Sequence, residues 1–354
     1  MAIINDFLKI KPFSRLIVRA YLCTSKGKKK YSEFVKESKI YSNIPDDANI
    51  KSMYLQFVYL RNLSGFTEKD YFLYELFKRD DKEIDKYISE RRRCEMYDYA
   101  DDKAFNHIMG DKKDFFDVYS KYMQPYVVFC ISENDYEHFM DLVNGQNSII
   151  VKPRDGQRGQ GVELLSVSSE KSKEKVWRKC LSEKLIAERV LSNDQSIACF
   201  HPESLNTIRI STVMDLKGEV HICAASLRTG SGNNYVDNGS HEGIYAAIDT
   251  NTGIVCSNGC NGRGQVFESH PDTHLSFKGT HIPDWDDLII LVKEIADITK
   301  QLRYIGWDFV YTTNKKWILL EGNEPGGVHI LQQPLGYGLY PLYSKLIYGS
   351  NKEG

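Results

Sequence analysis

Residues 304–327 read Tyr-Ile-Gly-Trp-Asp-Phe-Val-Tyr-Thr-Thr-Asn-Lys-Lys-Trp-Ile-Leu-Leu-Glu-Gly-Asn-Glu-Pro-Gly-Gly, and this stretch decides the fold. Two β-rich runs, 305–312 and 317–321, flank a polar turn at 313–316, which predicts a β-hairpin. With the turn centred on residues 314–315, the opposed pairs are Thr312–Trp317, Val310–Leu319 and Asp308–Glu321.

This register places three oxygen-bearing side chains, Asp308, Glu321 and Asn323, on one face of the hairpin, because strand side chains alternate. Directly opposed side chains start about 5 Å apart at Cβ. Two carboxylates that close repel each other unless a proton or a cation lies between them. Two acids and an amide form an all-oxygen ligand set that suits Mg²⁺ bound together with phosphates. A hairpin with one polar, solvated face explains the same pattern, so the rest of the chain has to discriminate.

The overall composition excludes several classes of protein. A chain of 354 residues accommodates a large core and two or three subdomains, and its net charge of −2 argues against general nucleic-acid binding. No apolar run approaches the length of a membrane span, and the first residues lack the layout of a signal peptide. The eight cysteines show no Cys-x-x-Cys pair, so we expect reduced thiols. These features predict a cytoplasmic protein, either a monomer or a homodimer.

Residues 1–100 predict a helical N-terminal region. The stretch Thr67–Asp70 is typical of a capping box that begins a helix over 71–79. The run Arg91–Arg93 could hold an anionic partner, although charge on a helix surface explains it equally. From residue 101 onward helices and strands alternate, which indicates an α/β layer.

A glycine-rich loop, residues 154–162, follows a predicted strand over 148–151. Its glycines are Gly156, Gly159 and Gly161. Their backbone amides can approach an anion closely. A strand rather than a helix comes next, so the loop is neither a Walker loop nor a Rossmann fingerprint. With Lys152 before it and Arg158 within it, the loop predicts a flap over a triphosphate, the alternative being an ordinary flexible hairpin.

Three further strands carry candidate polar residues. Glu188 lies in the strand 185–191, where an edge carboxylate could read an adenine amino group or a ribose, or could be a plain surface residue. The strand 207–213 presents Arg209, and the next strand delivers Arg228. Both are candidate phosphate clamps, because a guanidinium group matches phosphate bidentately. The long polar loop after Arg228 is of the kind that is commonly functional on a rigid sheet.

The order of these features resembles the ATP-grasp superfamily over roughly residues 60–350, and in particular its sugar-transfer-associated branch. The motifs that carry the resemblance are Asn206-Thr-Ile-Arg209, Leu227-Arg228 with Asp237-Asn238, His270-Pro-Asp with Ile282-Pro-Asp-Trp285, Gly306-Trp-Asp308 and Leu320-Glu-Gly-Asn323. The resemblance implies an α+β fold in which two α+β subdomains clasp ATP, with a helical N-terminal region. The implied divisions are 1–100, 101–148, a lid with the flap at 149–200, and a large subdomain at 201–354.

The resemblance also assigns roles to residues. It implies that Asp308, Glu321 and Asn323 hold one or two Mg²⁺ ions, and that Lys152, Arg209 and Arg228 stabilise a transferring phosphoryl group. The implied nucleotide-binding residues are Lys112 (with Lys113 as a rival), Lys152, Gly156, Arg158, Gly159, Gly161, Glu188, Val190 and Asp194. The implied substrate-binding residues are Asn206, Thr207, Asp237 and Asn238. Gln157 and Gln160 depart from the small residues that the family often has in its flap.

The chemistry implied by the resemblance is ligation. A carboxylate attacks the γ-phosphate of ATP, and an amine then displaces phosphate from the acylphosphate, which requires positioning and charge neutralisation. The branch points to a sugar acid, nucleotide-sugar or glycan and an amino acid, in capsular or exopolysaccharide biosynthesis. Two alternatives stay open: a phosphotransferase acting on a sugar hydroxyl, and a nucleotide-binding module without turnover.

Overall fold

The computed structural model describes residues 9, 11–155, 161–232 and 243–349, except for the side chains of residues 12 and 15. Two antiparallel sheets frame this part of the chain. Strands β1 (Val127–Phe129), β2 (Ser148–Lys152), β3 (Glu163–Ser166) and β4 (Ile186–Arg189) form the small sheet in the order β1-β4-β2-β3. Strands β5 (Thr207–Met214), β6 (Val220–Thr229), β7 (Ile244–Ile248), β8 (Gly259–Asn261), β9 (Val266–Phe267), β10 (Tyr304–Tyr311) and β11 (Trp317–Asn323) form the large sheet in the order β11-β10-β5-β6-β7-β8-β9.

Helices surround both sheets. Their bounds are α1 Lys11–Tyr21, α2 Ser25–Ser38, α3 Ile50–Ser64, α4 Glu68–Leu73, α5 Asp81–Ile84, α6 Glu90–Ala100, α7 Asn106–Gly110, α8 Lys112–Tyr119, α9 Tyr136–Val143, α10 Glu170–Glu183, α11 Gln195–Ala198, α12 Trp285–Ile298, α13 His329–Leu335 and α14 Tyr340–Tyr348. Short 3-10 turns lie at Leu76–Lys78, Lys103–Phe105, Ser120–Tyr122 and Glu133–Asp135. Among the described helices, none combines the length and the apolar character that crossing a bilayer requires.

The N-terminal region is helical where it is described, as the sequence predicts, and it has an aromatic core. Phe34, Phe57 and Phe72 are fully buried there. The predicted capping box is present, with Thr67 and Asp70 each bonding the backbone N–H of the other. The helix that it begins is shorter than predicted and ends at Leu73, followed by a 3-10 turn over Leu76–Lys78. Glu75 between them has a φ of 52°, which a continuing α-helix does not allow.

Hydrogen bonds join this N-terminal region to the large sheet and its helices. The buried Gln332 side chain accepts from the N–H of Ile88 and donates to its carbonyl, at 2.9 and 3.1 Å. Tyr340 N donates to the Lys86 carbonyl at 2.8 Å. An amide that satisfies both groups of one buried residue fixes the relative position of the two segments, because a lost partner would leave a buried polar group unpaired.

The large sheet has one apolar face and one polar face at its centre. Helix α12 packs on the apolar face, where Leu288, Val292 and Ile295 meet core residues of β5 and β6. The opposite face is covered farther along by α13 and α14. Side chains alternate along each strand, so Arg209 and Asp308 project on the side away from α12. The sheet therefore aims its charged residues at the space toward the small sheet and the N-terminal helices.

The hairpin β10–β11 forms as predicted, but part of its register differs. Asp308 is opposite Glu321, as expected, whereas Val310 is opposite Ile318 rather than Leu319. Trp317 is opposite Tyr311 rather than Thr312, so the turn is centred on Asn314, and Lys315 lies in the left-handed region at a φ of 54°. An irregularity after Asp308 then inserts Leu320 as an extra residue and restores the predicted pairing.

Candidate functional site

The site is centred on the carboxylate of Asp308, which is 2% exposed. Arg209, directly opposite on β5, donates from Nε and Nη2 to the two Asp308 oxygens at 2.5 and 2.7 Å. Arg228 Nη1 donates to Asp308 Oδ2 at 3.1 Å. Burial alone would favour the neutral acid, but the two guanidinium groups outweigh it and hold the pKa of Asp308 well below its usual range. Asp308 is therefore ionised and fixed in orientation.

Glu321 lies opposite Asp308 in a contrasting environment. It retains access to solvent although protein atoms surround it, as expected for a residue on the floor of a cleft. Burial raises the pKa of Glu321, and the negative charge of Asp308 raises it further. The two opposed carboxylates thus repel each other when both are ionised, and a proton or a cation between them relieves the repulsion.

Asn323 completes the predicted trio. Its Nδ2 donates to Glu321 Oε1 at 3.1 Å and lies 3.4 Å from Asp308 Oδ2. An Asn amide also carries a carbonyl oxygen on its other side, so rotation about its last side-chain bond would present Oδ1 to the same space. The chemistry of this donor set, two carboxylates and an amide oxygen, fits a hard divalent cation such as Mg²⁺.

Across the cleft, the small sheet supplies a lysine and an acid from neighbouring strands. Lys152 at the end of β2 and Glu188 on β4 form an ion pair, with Nζ and Oε1 2.7 Å apart and both side chains largely buried. Val190, two residues after Glu188, follows the end of β4 and is exposed. The lid therefore presents a lysine, an acid and an accessible strand end together.

Lys112 and Lys113 point in different directions. Lys113 Nζ is paired with Asp117 one turn along α8, at 2.5 and 2.6 Å. Lys112 Nζ instead donates to the Arg154 carbonyl at 3.2 Å, at the entrance to the glycine-rich loop. Burial lowers the pKa of Lys112, and the positive charge of Lys152 lowers it further, while Glu321 opposes the shift. Lys112 thus lies between the lid and the hairpin.

The first residues of the glycine-rich loop are tied to α8. Arg154 Nε donates to both carboxylate oxygens of Asp111, at 2.9 and 2.6 Å, and Asp111 also caps the start of that helix. Gly161, where the described chain resumes, has a φ of 73°, and a Cβ there would lie 2.7 Å from the ring of Pro153. The loop therefore leaves and re-enters the lid at neighbouring points.

Several predicted residues have structural contacts instead of, or besides, their predicted roles. Asp194 caps α11 through Oδ1, which accepts from the N–H and the hydroxyl of Ser196. Asn206 is completely buried, and both of its amide hydrogens bond carbonyls, those of Ile197 and His201. These bonds hold the loop before β5, and the substrate contact of Asn206 stays a prediction.

The remaining predictions are placed as follows. Thr207 is buried on β5, directly opposite Arg228. Its substrate contact, and the ribose contact of Asp194, stay predictions. Gly156, Arg158, Gly159, Asp237 and Asn238 lie outside the described residues.

Sequence reasoning missed a group of residues beside the arginines. His329 begins α13, and its Nε2 lies 3.3 Å from Lys69 Nζ of α4. Arg93 Nη1 donates to the Pro325 carbonyl at 2.9 Å, and Tyr97 donates to Glu324 Oε1 at 3.0 Å. The only local signals were the triple arginine at 91–93 and the polar residues just after Asn323. Their meeting depends on contacts more than 200 residues apart in sequence.

The sequence matches the family model for sugar-transfer associated ATP-grasp proteins over residues 86–346. The match covers more than half of the chain, and the chain belongs to this family. The predicted resemblance and the predicted ATP-grasp, α+β fold are thus confirmed. The N-terminal helices α1 to α5 lie outside the matched range.

Solved structures with similar folds are ATP-grasp enzymes of low sequence identity. They include the ATP-grasp ligase PsnB complexed with minimal precursor (14% identity, 71% of this chain and 64% of that chain, TM-score 0.44). Others are D-alanyl-alanine synthetase A from Vibrio cholerae (12%, 69% and 65%, 0.42) and VanG D-Ala:D-Ser ligase from Enterococcus faecalis (11%, 70% and 64%, 0.43). The chain spans about 65% of the length of these structures. No curated protein matches the sequence. Family membership therefore rests on the match over residues 86–346.

Proposed function

We propose that this ATP-grasp protein is an ATP- and Mg²⁺-dependent ligase that joins a carboxylate to an amine and releases ADP and phosphate. The observation that carries the proposal is the convergence of lid and hairpin residues on one space. The pKa of Lys112 is lowered by the charge of Lys152 on the lid, and it is raised by the charges of Glu321 on the hairpin and Glu188 on the lid. Cations facing carboxylates across a cleft suit a triphosphate that is bound with its metal ion.

Each side of the cleft has a distinct task in this proposal. Lys112 and Lys152 bind phosphate oxygens, and Glu188 with Val190 lines the adenine. Asp308, Glu321 and Asn323 hold Mg²⁺, which when bound neutralises charge on the phosphates. Arg209 and Arg228, fixed through Asp308, direct their remaining N–H groups at the transferring phosphoryl group, where preorganised donors cost no rearrangement during the reaction.

The reaction balances without a protein nucleophile. The substrate carboxylate attacks the γ-phosphorus, and ADP leaves. The amine then attacks the acylphosphate carbon, phosphate leaves, and the nitrogen loses a proton to form the amide. Holding the two reacting groups together supplies most of the advantage, because it turns a bimolecular step into an effectively unimolecular one.

The family's sugar-transfer association supports a sugar acid, nucleotide-sugar or glycan as one substrate and an amino acid as the other. Such an amide would modify a capsular or exopolysaccharide precursor. The alternatives are transfer of the phosphoryl group to a sugar hydroxyl, and nucleotide binding without turnover. The presence together of Lys152, Asp308, Glu321 and Asn323 favours turnover over binding alone.

The discriminating experiment is a matrix of carboxylates and amines assayed for ADP, free phosphate and phosphorylated product. A ligase releases free phosphate in step with amide only when both substrates are present. A phosphotransferase leaves phosphate on a hydroxyl of one substrate and needs no amine. ADP formation at the same rate with and without the two substrates contradicts the ligase proposal, as does the absence of ADP with every pair.

A further inference from the structure

The N-terminal helices reach the same cleft from above the sheet. Lys69 belongs to the short helix α4, whose start is fixed by the Thr67–Asp70 capping box and whose Tyr71 and Phe72 are fully buried. A helix anchored in this way holds its lysine in place. Lys69 Nζ lies 3.3 Å from Nε2 of His329, although the two residues are 260 positions apart in the sequence.

The protonation of His329 follows from this contact. An ammonium group only donates hydrogen bonds, so His329 Nε2 accepts from Lys69 and the ring proton resides on Nδ1. Burial lowers the pKa of His329 well below its usual range, and the positive charges of Lys69, Arg209, Arg228 and Arg93 lower it further. The neutral ring therefore presents an Nδ1–H donor. Within the described part of the chain, that donor has no hydrogen-bond partner.

The polar face of the sheet places this donor away from the metal trio. Asp308, Arg209 and Ser226 form one row across β10, β5 and β6. The next row on the same face contains Arg228 and Tyr245 of β7. The His329 ring packs edge-on against Tyr245, with ring centroids 6.2 Å apart. At about 4.8 Å per strand, Tyr245 lies roughly 14 Å from the strand of Asp308.

The segment between the trio and His329 contains two adjacent glycines, Gly326 and Gly327. A Cβ on Gly326 would lie 2.9 Å from the backbone nitrogen of Gly306, and a Cβ on Gly306 would lie 3.1 Å from Arg209 Nη1. The chain therefore crosses close to the sheet here. Arg93 holds the same segment from the other side through the Pro325 carbonyl.

We propose that Lys69, positioned by its hydrogen bond to His329 and with Arg228 near that histidine, forms a subsite for a second anionic group of the substrate, a carboxylate or a phosphate. This inference rests on the proposed function for the identity of the first group, the carboxylate that reacts with ATP. The ligand is thus an elongated acid with two negative ends, one at the transferring phosphoryl group and one at Lys69. The Lys69 ammonium group donates the strong, charge-assisted hydrogen bonds that anions accept. His329 positions Lys69, because its Nδ1–H lies on the other side of the ring and does not reach the same anionic group.

The subsite also gives the N-terminal helices a role in binding. The match to the family begins at residue 86, so Lys69 belongs to the part of the chain outside it. The sheet supplies the reacting end of the cleft, and α4 supplies the group that selects the other end of the acid. A change in this helix would therefore alter which acid binds without altering the reaction.

The binding test uses inorganic phosphate and, in a separate arm, acetate, titrated into the full-length protein and followed by NMR line broadening. Lys69→Gln is expected to weaken binding at this subsite by roughly 10- to 100-fold, the range for one charge-assisted hydrogen bond. Lys152→Ala removes a lysine of the nucleotide site. It therefore distinguishes phosphate bound at the nucleotide site from phosphate bound at Lys69. Lys82→Gln, an exposed lysine of the same region, is the matched control and is expected to bind like the wild type.

The outcomes separate the two proposals. Loss of phosphate binding in Lys69→Gln and in His329→Ala, with unchanged melting temperature, supports the subsite even if no acid supports ADP release. Preference for phosphate over acetate identifies the second group as a phosphate, and the reverse preference identifies a carboxylate. Unchanged binding in both variants overturns the subsite and leaves the ligase proposal standing. If acids do support turnover, Lys69→Gln raises KM for two-headed acids and leaves kcat unchanged.

Discussion

Arg209 on β5 donates two hydrogen bonds, of 2.5 and 2.7 Å, to the carboxylate of Asp308 directly opposite it on β10. Both side chains are less than 10% exposed. A buried pair of this kind contributes little net stability relative to apolar residues, but removing one partner leaves an uncompensated charge. The pair therefore keeps Asp308 ionised and oriented. Removing one partner is expected to lower the stability of the fold strongly.

Replacing Arg209 is the first test of this arrangement. Arg209→Ala is expected to lower the free energy of unfolding by about 3–5 kcal/mol, because the Asp308 carboxylate is left buried without its main partner. Urea denaturation measures the change. Arg154→Ala breaks the exposed ion pair with Asp111 and is the control, expected to cost under about 1 kcal/mol. Equal losses in both variants would contradict a specific role for burial at Arg209.

Removing Glu321 separates the metal trio from the fold. Glu321→Ala is expected to abolish Mg²⁺-dependent ATP turnover and to leave the melting temperature equal or higher, since burial and Asp308 both disfavour its charge. Coupled ADP detection and differential scanning calorimetry measure the two effects. Glu163→Ala, at an exposed lid residue that pairs with Lys179, is expected to keep full turnover as the control. Undiminished turnover in Glu321→Ala would show that the trio does not hold the ion.

The two adjacent lysines of α8 offer an internal comparison. Lys112→Ala is expected to weaken ATP binding by roughly 10- to 100-fold, the range for one charge-assisted hydrogen bond to a phosphate. Lys113→Ala removes the pair with Asp117 and the contact with the Phe129 ring, and it is expected to bind ATP like the wild type. Isothermal titration calorimetry with a non-hydrolysable ATP analogue gives both constants. A larger loss for Lys113 would reverse the assignment.

The hairpin shows how sequence reasoning succeeded at the functional end and erred at the turn. Alternation predicts which residues share a face, and Asp308 and Glu321 do lie opposite each other. The predicted centre of the turn was wrong, because nothing local showed that Lys315 adopts a left-handed conformation. The extra residue at Leu320 compensated for the error. A register set by a turn and a bulge together cannot be read from either one.

The rest of the site depends on contacts between remote segments, which local sequence patterns do not predict. Local patterns marked Lys152, Glu188 and Arg228 as candidates, because each lies on a recognisable strand. The burial of Asn206 and the contact of Lys69 with His329 arise only when segments far apart in sequence pack together. Hydrophobic periodicity predicts faces and elements, and it carries no information on which polar side chain of one element meets that of another.

Asp101 provides a prediction about pH. Its Oδ1 accepts from the backbone N–H groups of Arg303 and Tyr304 at 2.6 and 2.9 Å, while Oδ2 is buried and has no hydrogen-bond partner among the described residues. Burial raises the pKa of Asp101 to about 7 from its ordinary value of 3.8, despite these hydrogen bonds. The folded protein therefore binds this proton more tightly than the unfolded chain.

The sign of the effect follows from linkage. Between pH 4 and pH 7 the unfolded chain loses the proton first, so the contribution of Asp101 to stability is complete below about pH 4 and falls as pH rises toward 7. The slope is at most about 1.4 kcal/mol per pH unit.

Asp101→Asn retains the acceptor for both N–H groups and has no ionisable proton. Its stability relative to the wild type should rise over this interval and level off above pH 7. Asp102→Asn, at the exposed neighbouring position, should parallel the wild type. Urea unfolding at pH 4.5, 6 and 8 measures the three curves, and a constant offset between Asp101→Asn and the wild type would rule out the buried proton.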